Sequence, residues 1–259
     1  MDHSAVLAAL DRDLRRDMPA LDDHATVVQT PYVTRHVDPR DRGWSGVVWC
    51  QVDEHTAESV VTEEVALFKT LPGDCEWKHY HHDAFLALPE YLVAAGLRPG
   101  EVEWVMVAET AAIAPVPPPP GITLTPVTDE AGIAKVVAVH EAAFHAPFTW
   151  LGDRLLDALE TAPDRLDVLV AEADGTPVSA ARSEYYPGRP WASLWGGGTV
   201  PEWRSRGIYR ALVSHRAALA LDRGVRWLHV DAMPPSRPIL TRMGFQKITS
   251  TTPYTLPNA

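Results

Sequence analysis

Cysteine is nearly absent. Cys50 and Cys75 are the two in 259 residues, and no CxxC pair exists. That argues against a disulfide framework or a cysteine zinc site, and both thiols are expected as small buried strand residues. Long apolar runs are missing too: none approaches the ~18 residues that a spanning helix needs. The opening MDHSAVLAALDRDLRRDMPAL alternates charged and apolar residues at helical spacing. It lacks the basic start and unbroken apolar stretch of a signal peptide, so a cytoplasmic enzyme or binding protein is expected. Positive charge is in deficit, with 23 Lys and Arg against 34 Asp and Glu and a net charge of −11. The resulting pI of about 5.4 argues against partners such as duplex nucleic acid or an anionic membrane and mildly favours a cationic substrate. The nine tryptophans are scattered through predicted strands and make no stacking ladder for single-stranded nucleic acid. What remains, 46% apolar and 22% charged residues, is ordinary for one large folded domain or two small ones.

The clearest punctuation is APVPPPPG, Ala114 to Gly121. Consecutive prolines lack amide hydrogens and favour extended geometry, so the stretch reads as a stiff spacer. The expected division is a first domain over 1–113, a linker over 114–120 and a second domain over 121–259. After the linker, strand and helix patterns alternate. GITLTPV reads as a strand, DEAGIAKVVAVHEAAF and GDRLLDALETA as helices, and LDVLVAEADGTPVSAARSEYY as two strands turning at Asp174-Gly175. RPWASLWGGGTV reads as a strand loosened by Gly196, Gly197 and Gly198. A helix to about Leu221, the strand RWLHVDAM, the short helix SRPILTRMGF and the strand QKITSTTPYTL follow. Before the linker GVVWCQV, CEWKHYHH and EVEWVMVAE read as strands, AESVVTEEVALFKTL and LPEYLVAAGL as helices. Gly96 and Gly244, like Val52 and Val200, lie 148 residues apart, which suggests a duplicated unit whose first copy is truncated and diverged. The expected class is α/β with a mixed sheet flanked by helices.

The strongest local anomaly is VPEWRSRGIYRAL, Val200 to Leu212, where three arginines gather in an acidic chain. Val200 ends a strand and a helix follows the turn. The first amides of a helix have no intrahelical partner and sit at the positive end of its dipole, so a diphosphate placed there receives several N–H bonds. Gly207 lets the backbone approach without a Cβ, and Arg204, Arg206 and Arg210 add charge.

On these residues the chain resembles the GNAT superfamily of acyl-CoA-dependent N-acyltransferases over about 121–259. The family loop reads Q/R-x-x-G-x-G/A between a strand and a helix. Arg204-Ser205-Arg206-Gly207-Ile208-Tyr209 matches at its first and fourth positions and departs at Tyr209. The lead-in V-P-E-x-R, the continuation Arg210 to Leu212 and the terminal Met243-Gly244-Phe245 match as well. The resemblance implies a GNAT-like, mostly antiparallel central sheet with a degenerate GNAT-like first unit. It implies acetyl-CoA or another acyl-CoA as co-substrate, with no metal, and a small-molecule or peptide amine as acceptor; an oligomer is compatible with it. Coenzyme-binding residues are expected at Thr199, Val200, Arg204, Ser205, Arg206, Gly207, Ile208, Tyr209, Arg210 and Ser236. Ser236 begins the short helix, so an N-cap role stands beside that one. Tyr209 is expected to project sideways and leave the loop working. The first copy's turn, DEHTAES, is acidic, and no coenzyme is expected there.

Amine acylation needs a proton acceptor and something to protonate the leaving thiolate. The family's tyrosine before the glycine-phenylalanine pair is Leu240 here. Asp231 and Glu184 are the candidate catalytic carboxylates, His229 reads first as core, and Tyr254 is a remote acid. Tyr185 and Tyr186 end a strand beside the presumed acceptor groove, which Phe144, Phe148 and Trp150 are expected to line. His140 and His145 lie about 140° apart around a helix, poor for one shared ligand. In KHYHHD, His79 and His81 share a strand face and His82 does not, and no third ligand appears. Two rival readings stand beside the transferase. One is a coenzyme-binding protein without catalysis; the other is O-transfer or decarboxylation on the same scaffold.

Overall fold

The computed structural model describes residues 1–40, 43–73 and 75–256; the last three residues of the expected second domain lie outside these. Helix α1 (His3–Leu10) runs into one wider π-helical turn at Asp11–Arg16. Strands β1 (Thr26–Gln29), β2 (Val33–Val37) and β3 (Ser45–Cys50) follow, then α2 (Ala57–Phe68), β4 (Cys75–Tyr80), α3 (Leu88–Ala94), β5 (Arg98–Pro99) and β6 (Glu103–Glu109). Next come β7 (Ile122–Pro126), α4 (Glu130–Phe144), α5 (Thr149–Thr161), β8 (Leu166–Ala173), β9 (Thr176–Tyr185) and β10 (Trp191–Thr199). The chain ends with α6 (Ile208–Asp222), β11 (Trp227–Ala232), α7 (Arg237–Arg242) and β12 (Gln246–Leu256). No described helix is long and apolar enough to cross a membrane.

The local signals act where the sequence places them. Asp129 caps α4 by accepting the Gly132 N–H at 2.8 Å. Asp174 and Gly175 take φ of 47° and 78°, the paired left-handed geometry that suits a two-residue hairpin between twisted strands. Strands β1, β2 and β5 escaped the sequence reading, being short and without a strict alternation.

Packing divides the chain into two compact units: Met1–Met106 with Asp231–Arg237 and Lys247–Ala259, and Val107–Val230 with Pro238–Gln246. This division differs from the expected one, for two reasons. Strand β12 pairs antiparallel with β4, from Thr251 opposite Tyr80 to Leu256 opposite Cys75. The prolyl segment is also no free spacer. Ser214 Oγ on α6 accepts the Val116 N–H at 2.8 Å and donates to the Ala114 carbonyl at 3.2 Å, so the segment is tied to the second unit.

In the first unit the strand order is β1-β2-β3-β4-β12. Strand β3 runs parallel to β4 over Ser45–Val47 and Cys75–Trp77, with α2 as the connection. Its core gathers Val60, Val61, Val65 and Phe68 of α2 and Leu88 and Leu92 of α3 around Trp77, Tyr254 and Leu256. In the second unit the order is β11-β10-β9-β8-β7, antiparallel except for the pair β10/β11. Side chains alternate along β8. Val168 and Val170 meet Ile133, Val136, Leu151 and Leu155 of α4 and α5, whereas Leu169 and Ala171 meet Ile208 and Leu212 of α6. Each unit thus contains one parallel pair joined by a helix, the arrangement expected of a duplicated element. The fold is mixed α/β with a mostly antiparallel sheet flanked by helices.

Trp77 is fully buried in the first core. Trp77→Ala is expected to cost about 3–5 kcal/mol in chemical denaturation; a loss below about 1 kcal/mol would contradict this placement.

Candidate active site

The site begins where β10 leaves β11. Their parallel register holds for Trp191, Ala192 and Ser193 opposite Trp227, Leu228 and His229. Against β9 the register then slips between Trp195 and Gly198, a bulge that turns the strand end away. Thr199 closes β10, and the Val200 N–H bonds the Val178 carbonyl at 3.0 Å. A short 3-10 turn, Pro201–Trp203, carries the chain to Ser205 and Gly207, whose φ values are 62° and 88°.

Helix α6 then starts without any side-chain cap. Its first internal bond is from the Ala211 N–H to the Gly207 carbonyl at 3.1 Å, so the N–H groups of Gly207, Ile208 and Arg210 precede the hydrogen-bonded ladder. Orphan donors at a helix start suit an anion, and left-handed residues in the preceding turn shape a concavity for one. The closest atom to a Cβ built on Gly207 is Pro119 Cγ at 3.8 Å, so the glycine is needed for its φ rather than for space. These features fit a diphosphate.

The three arginines divide their roles. Arg204 ties the turn down, its Nε donating to the Thr199 carbonyl at 3.0 Å and its terminal amine to the Ala143 carbonyl at 2.8 Å. Arg206 lies over Trp203 with 4.5 Å between guanidinium and ring. Arg206 and Arg210 are exposed and form no ion pair among the described residues. Tyr209 does project toward the sheet: a Cβ on Gly197 would sit 2.5 Å from its Cε2. The ring therefore lies on the bare face of Gly197, and that glycine serves close packing rather than strand loosening. Ser236 lies in the first unit, and its Oγ donates to the Met233 carbonyl at 2.9 Å.

On the α4/α5 face of the second unit, Tyr186 Oη, Ser193 Oγ and His229 Nδ1 form a buried chain with links of 2.9 and 2.8 Å. The sequence reading set His229 aside as core and passed over Ser193, because their union depends on the β10/β11 register. Glu184 Oε1 accepts from Arg182 Nε at 2.8 Å and from Arg154 at 3.2 Å. Asp231 belongs to the first unit and is ion-paired with Lys78, which also lies 3.5 Å from Glu103. Burial alone would lower the Lys78 pKa, but Asp231 and Glu103 hold it well above the usual lysine range. Both candidate carboxylates are thus already engaged by cations.

Leu240 is fully buried. Tyr254 packs in the first unit's core, and burial raises its pKa, a poor setting for the remote acid. The Tyr185 hydroxyl donates to Asp167 at 2.5 Å. Phe144, Phe148 and Trp150 form a row with ring centroids 5.6 and 6.1 Å apart, and Phe144 is 47% exposed. His81 contacts Thr252 Oγ1 at 2.9 Å, and His82 contacts Thr249 Oγ1 at 3.0 Å and Asp11 at 2.9 Å. Among the described residues no group of three or more His, Cys, Asp or Glu side chains can hold a metal ion.

The first unit inverts the second unit's turn. Before α2, Asp53 Oδ1 accepts the N–H groups of His55 and Thr56, both at 3.0 Å, and the Thr56 hydroxyl at 2.7 Å. The Thr56 hydroxyl, followed by the two N–H groups, holds the Asp53 carboxyl below the usual range. A cavity of about 220 Å³ beyond the end of β3 is lined by Arg15, Asp11, Cys50 and Asp83. Arg15 fills its polar side, bonding Asp83 at 2.6 Å, Asp11 at 2.5 Å and the Val48 carbonyl at 2.9 Å.

A bulged strand parting from its parallel neighbour beside an open helix start is the layout that the resemblance of Arg204–Tyr209 implies. Residues 133–245 match the family model described as the Acetyltransferase (GNAT) family. A GCN5-related N-acetyltransferase from Kribbella flavida is 15% identical, with a TM-score of 0.69 over 99% of this chain and 95% of that one. Another from Sphaerobacter thermophilus is 18% identical, with a TM-score of 0.62 over 99% and 86%. A tandem GNAT protein from the clavulanic acid biosynthesis pathway is 13% identical, with a TM-score of 0.61 over 90% and 83%. No curated protein matches the chain. Over residues 133–245 the chain thus matches the GNAT acetyltransferase family, whose members use acetyl-CoA as co-substrate in general.

The packing of Tyr209 on Gly197 is testable by a double-mutant cycle. Gly197→Ala is expected to destabilise by about 1–3 kcal/mol through overlap, and adding Tyr209→Ala to recover part of that loss. Purely additive effects in thermal melts would refute the contact.

Proposed function

We propose that this chain transfers an acetyl or other short acyl group from coenzyme A to an amine, with the second unit as the catalytic one. The uncapped start of α6 carries the reading. There the N–H groups of Ser205, Arg206, Gly207, Ile208 and Arg210 face the diphosphate, and Arg206 and Arg210 add charge. Tyr209 forms the wall where its ring crosses β10, and Arg204 fixes the turn to Thr199. Thr199 and Val200, at the strand end without a β11 partner, offer main-chain groups to the pantetheine amides.

The attacking amine must lose a proton as its bond to the acyl carbon forms. Glu184 holds charge and position in this proposal, because it already faces two cations. The Tyr186–Ser193–His229 chain takes the proton: an imidazole linked to two hydroxyls can accept at one atom while passing polarity along the links. Leu240 leaves the thiolate without the family's usual tyrosine donor. That observation favours, as a second reading, a coenzyme-binding protein without turnover. The first unit is proposed not to bind coenzyme A, since the Asp53 carboxylate stands where phosphate oxygens would need those donors.

Calorimetry with acetyl-CoA is expected to show one site per chain. Gly207→Asp is expected to abolish it, through a φ of 88° unfavourable to side chains and a new negative charge. No binding at millimolar ligand overturns the reading. Thiol release against a panel of amines then separates catalysis from binding alone, and His229→Ala is expected to lower kcat by about 100-fold. Unchanged kcat in that variant refutes the relay, and release with alcohols but no amine points to O-transfer.

A further inference from the structure

Around β9 the second unit holds more buried positive charge than its carboxylates neutralise. Arg154 on α5 and Arg182 on β9 both donate to the single oxygen Oε1 of Glu184. Arg216 of α6, 1% exposed, has no carboxylate partner among the described residues. It bonds the main-chain carbonyls of Leu212 at 3.2 Å and Arg182 at 2.9 Å. Burial lowers the Arg182 pKa, and it pushes that of Arg216 down to about 10. Two guanidiniums thus share one carboxylate oxygen, and the third, on the α6 side, has main-chain carbonyls alone as partners, in a chain whose net charge is −11. A desolvated cation without its counter-charge is costly unless something else supplies it.

The free edge shows where that charge is directed. Arg182 uses only Nε on Glu184, and its two terminal nitrogens make no hydrogen bond among the described residues. One of them, Nη1, lies beside the β10 bulge: a Cβ on Gly196 would meet it at 2.9 Å and His140 Nε2 at 2.8 Å. Arg182 keeps 12% of its side chain exposed and Arg154 22%, a narrow window onto the same face as Ser193 and His229. Two outward N–H groups on one planar fork match the two oxygens of a carboxylate.

We propose that the acceptor is an amine bearing a carboxylate, held by the outward edge of Arg182 with Arg154 beside it, and that Glu184 fixes the pose of both guanidiniums. The inference rests on the acyl-transfer reading given above. In the step so served, the amine nitrogen bonds to the acyl carbon as the carbon–sulfur bond breaks. The amine proton ends on the departing thiol, and the products are an N-acyl amino acid and coenzyme A. This also separates the acceptor from the cationic substrate that net charge alone suggests.

The test compares amino acids with their own carboxamides as acceptors for acetyl-CoA, measured by thiol release. The amide has the less basic, more readily neutral amine, so a preference for the acid runs against intrinsic reactivity. The wild type is expected to favour the acid by at least about 10-fold in kcat/KM, as one charge-assisted hydrogen bond or more would give. Arg182→Met is expected to bring the ratio close to one, with Arg182→Lys between; if Arg182→Met does not fold, Arg154→Met reads the same ratio. Equal use of acid and amide by the wild type overturns the proposal, as does faster turnover of a phosphate-bearing amine. So does turnover of no pair by protein that binds acetyl-CoA in calorimetry, an outcome that leaves the acyl-transfer reading standing. Failure to bind acetyl-CoA removes that reading itself.

Discussion

The start of a helix exposes peptide donors that the helix cannot satisfy, and the architecture of the second unit is arranged around keeping those of α6 open. The bulge in β10 ends the strand beside them. Arg204 anchors the turn through the Thr199 and Ala143 carbonyls, so the loop is fixed by main-chain acceptors and needs none of the N–H groups for its own support. Ser205 and Gly207 take left-handed geometry, which orients successive amides in one direction.

The two units show the same element with opposite solutions. Both contain a parallel strand pair joined by a helix. In the first, the turn before the helix is occupied by the Asp53 carboxylate, and the space past the strand end by Arg15 and its acidic partners. An intramolecular anion there provides stability; an open site there would provide binding. The two turns thus differ in what meets the amides before the helix: a side chain of the protein itself in the first unit, none among the described residues in the second.

Much of this was legible in the residues. The helix to about Leu221, the hairpin at Asp174-Gly175 and the strand RWLHVDAM follow from local rules, because turns and periodicity act over a few residues. Tyr209 was legible in part: that it avoids the loop is implied by Gly207, but its seat on Gly197 depends on how α6 packs on β10. The Tyr186–Ser193–His229 chain and the double hold on Glu184 were not legible, since the first depends on strand register over 36 residues of chain and the second on how α5 packs against β9, 30 residues away. The pairing of Asp231 with Lys78 spans 153 residues and left no local trace. The prolines misled for a related reason: stiffness is a local property, while their attachment to Ser214 is not.

Strand β12 is encoded at the end of the chain yet completes the sheet that begins with β1. The gene therefore cannot be cut at the prolines into two self-sufficient pieces. A fragment ending there would present β4 with a bare edge, and its complement would carry an orphaned strand rich in threonine. The two ends of the chain are therefore coupled through one strand pair, and the stability of the first unit depends on residues made last.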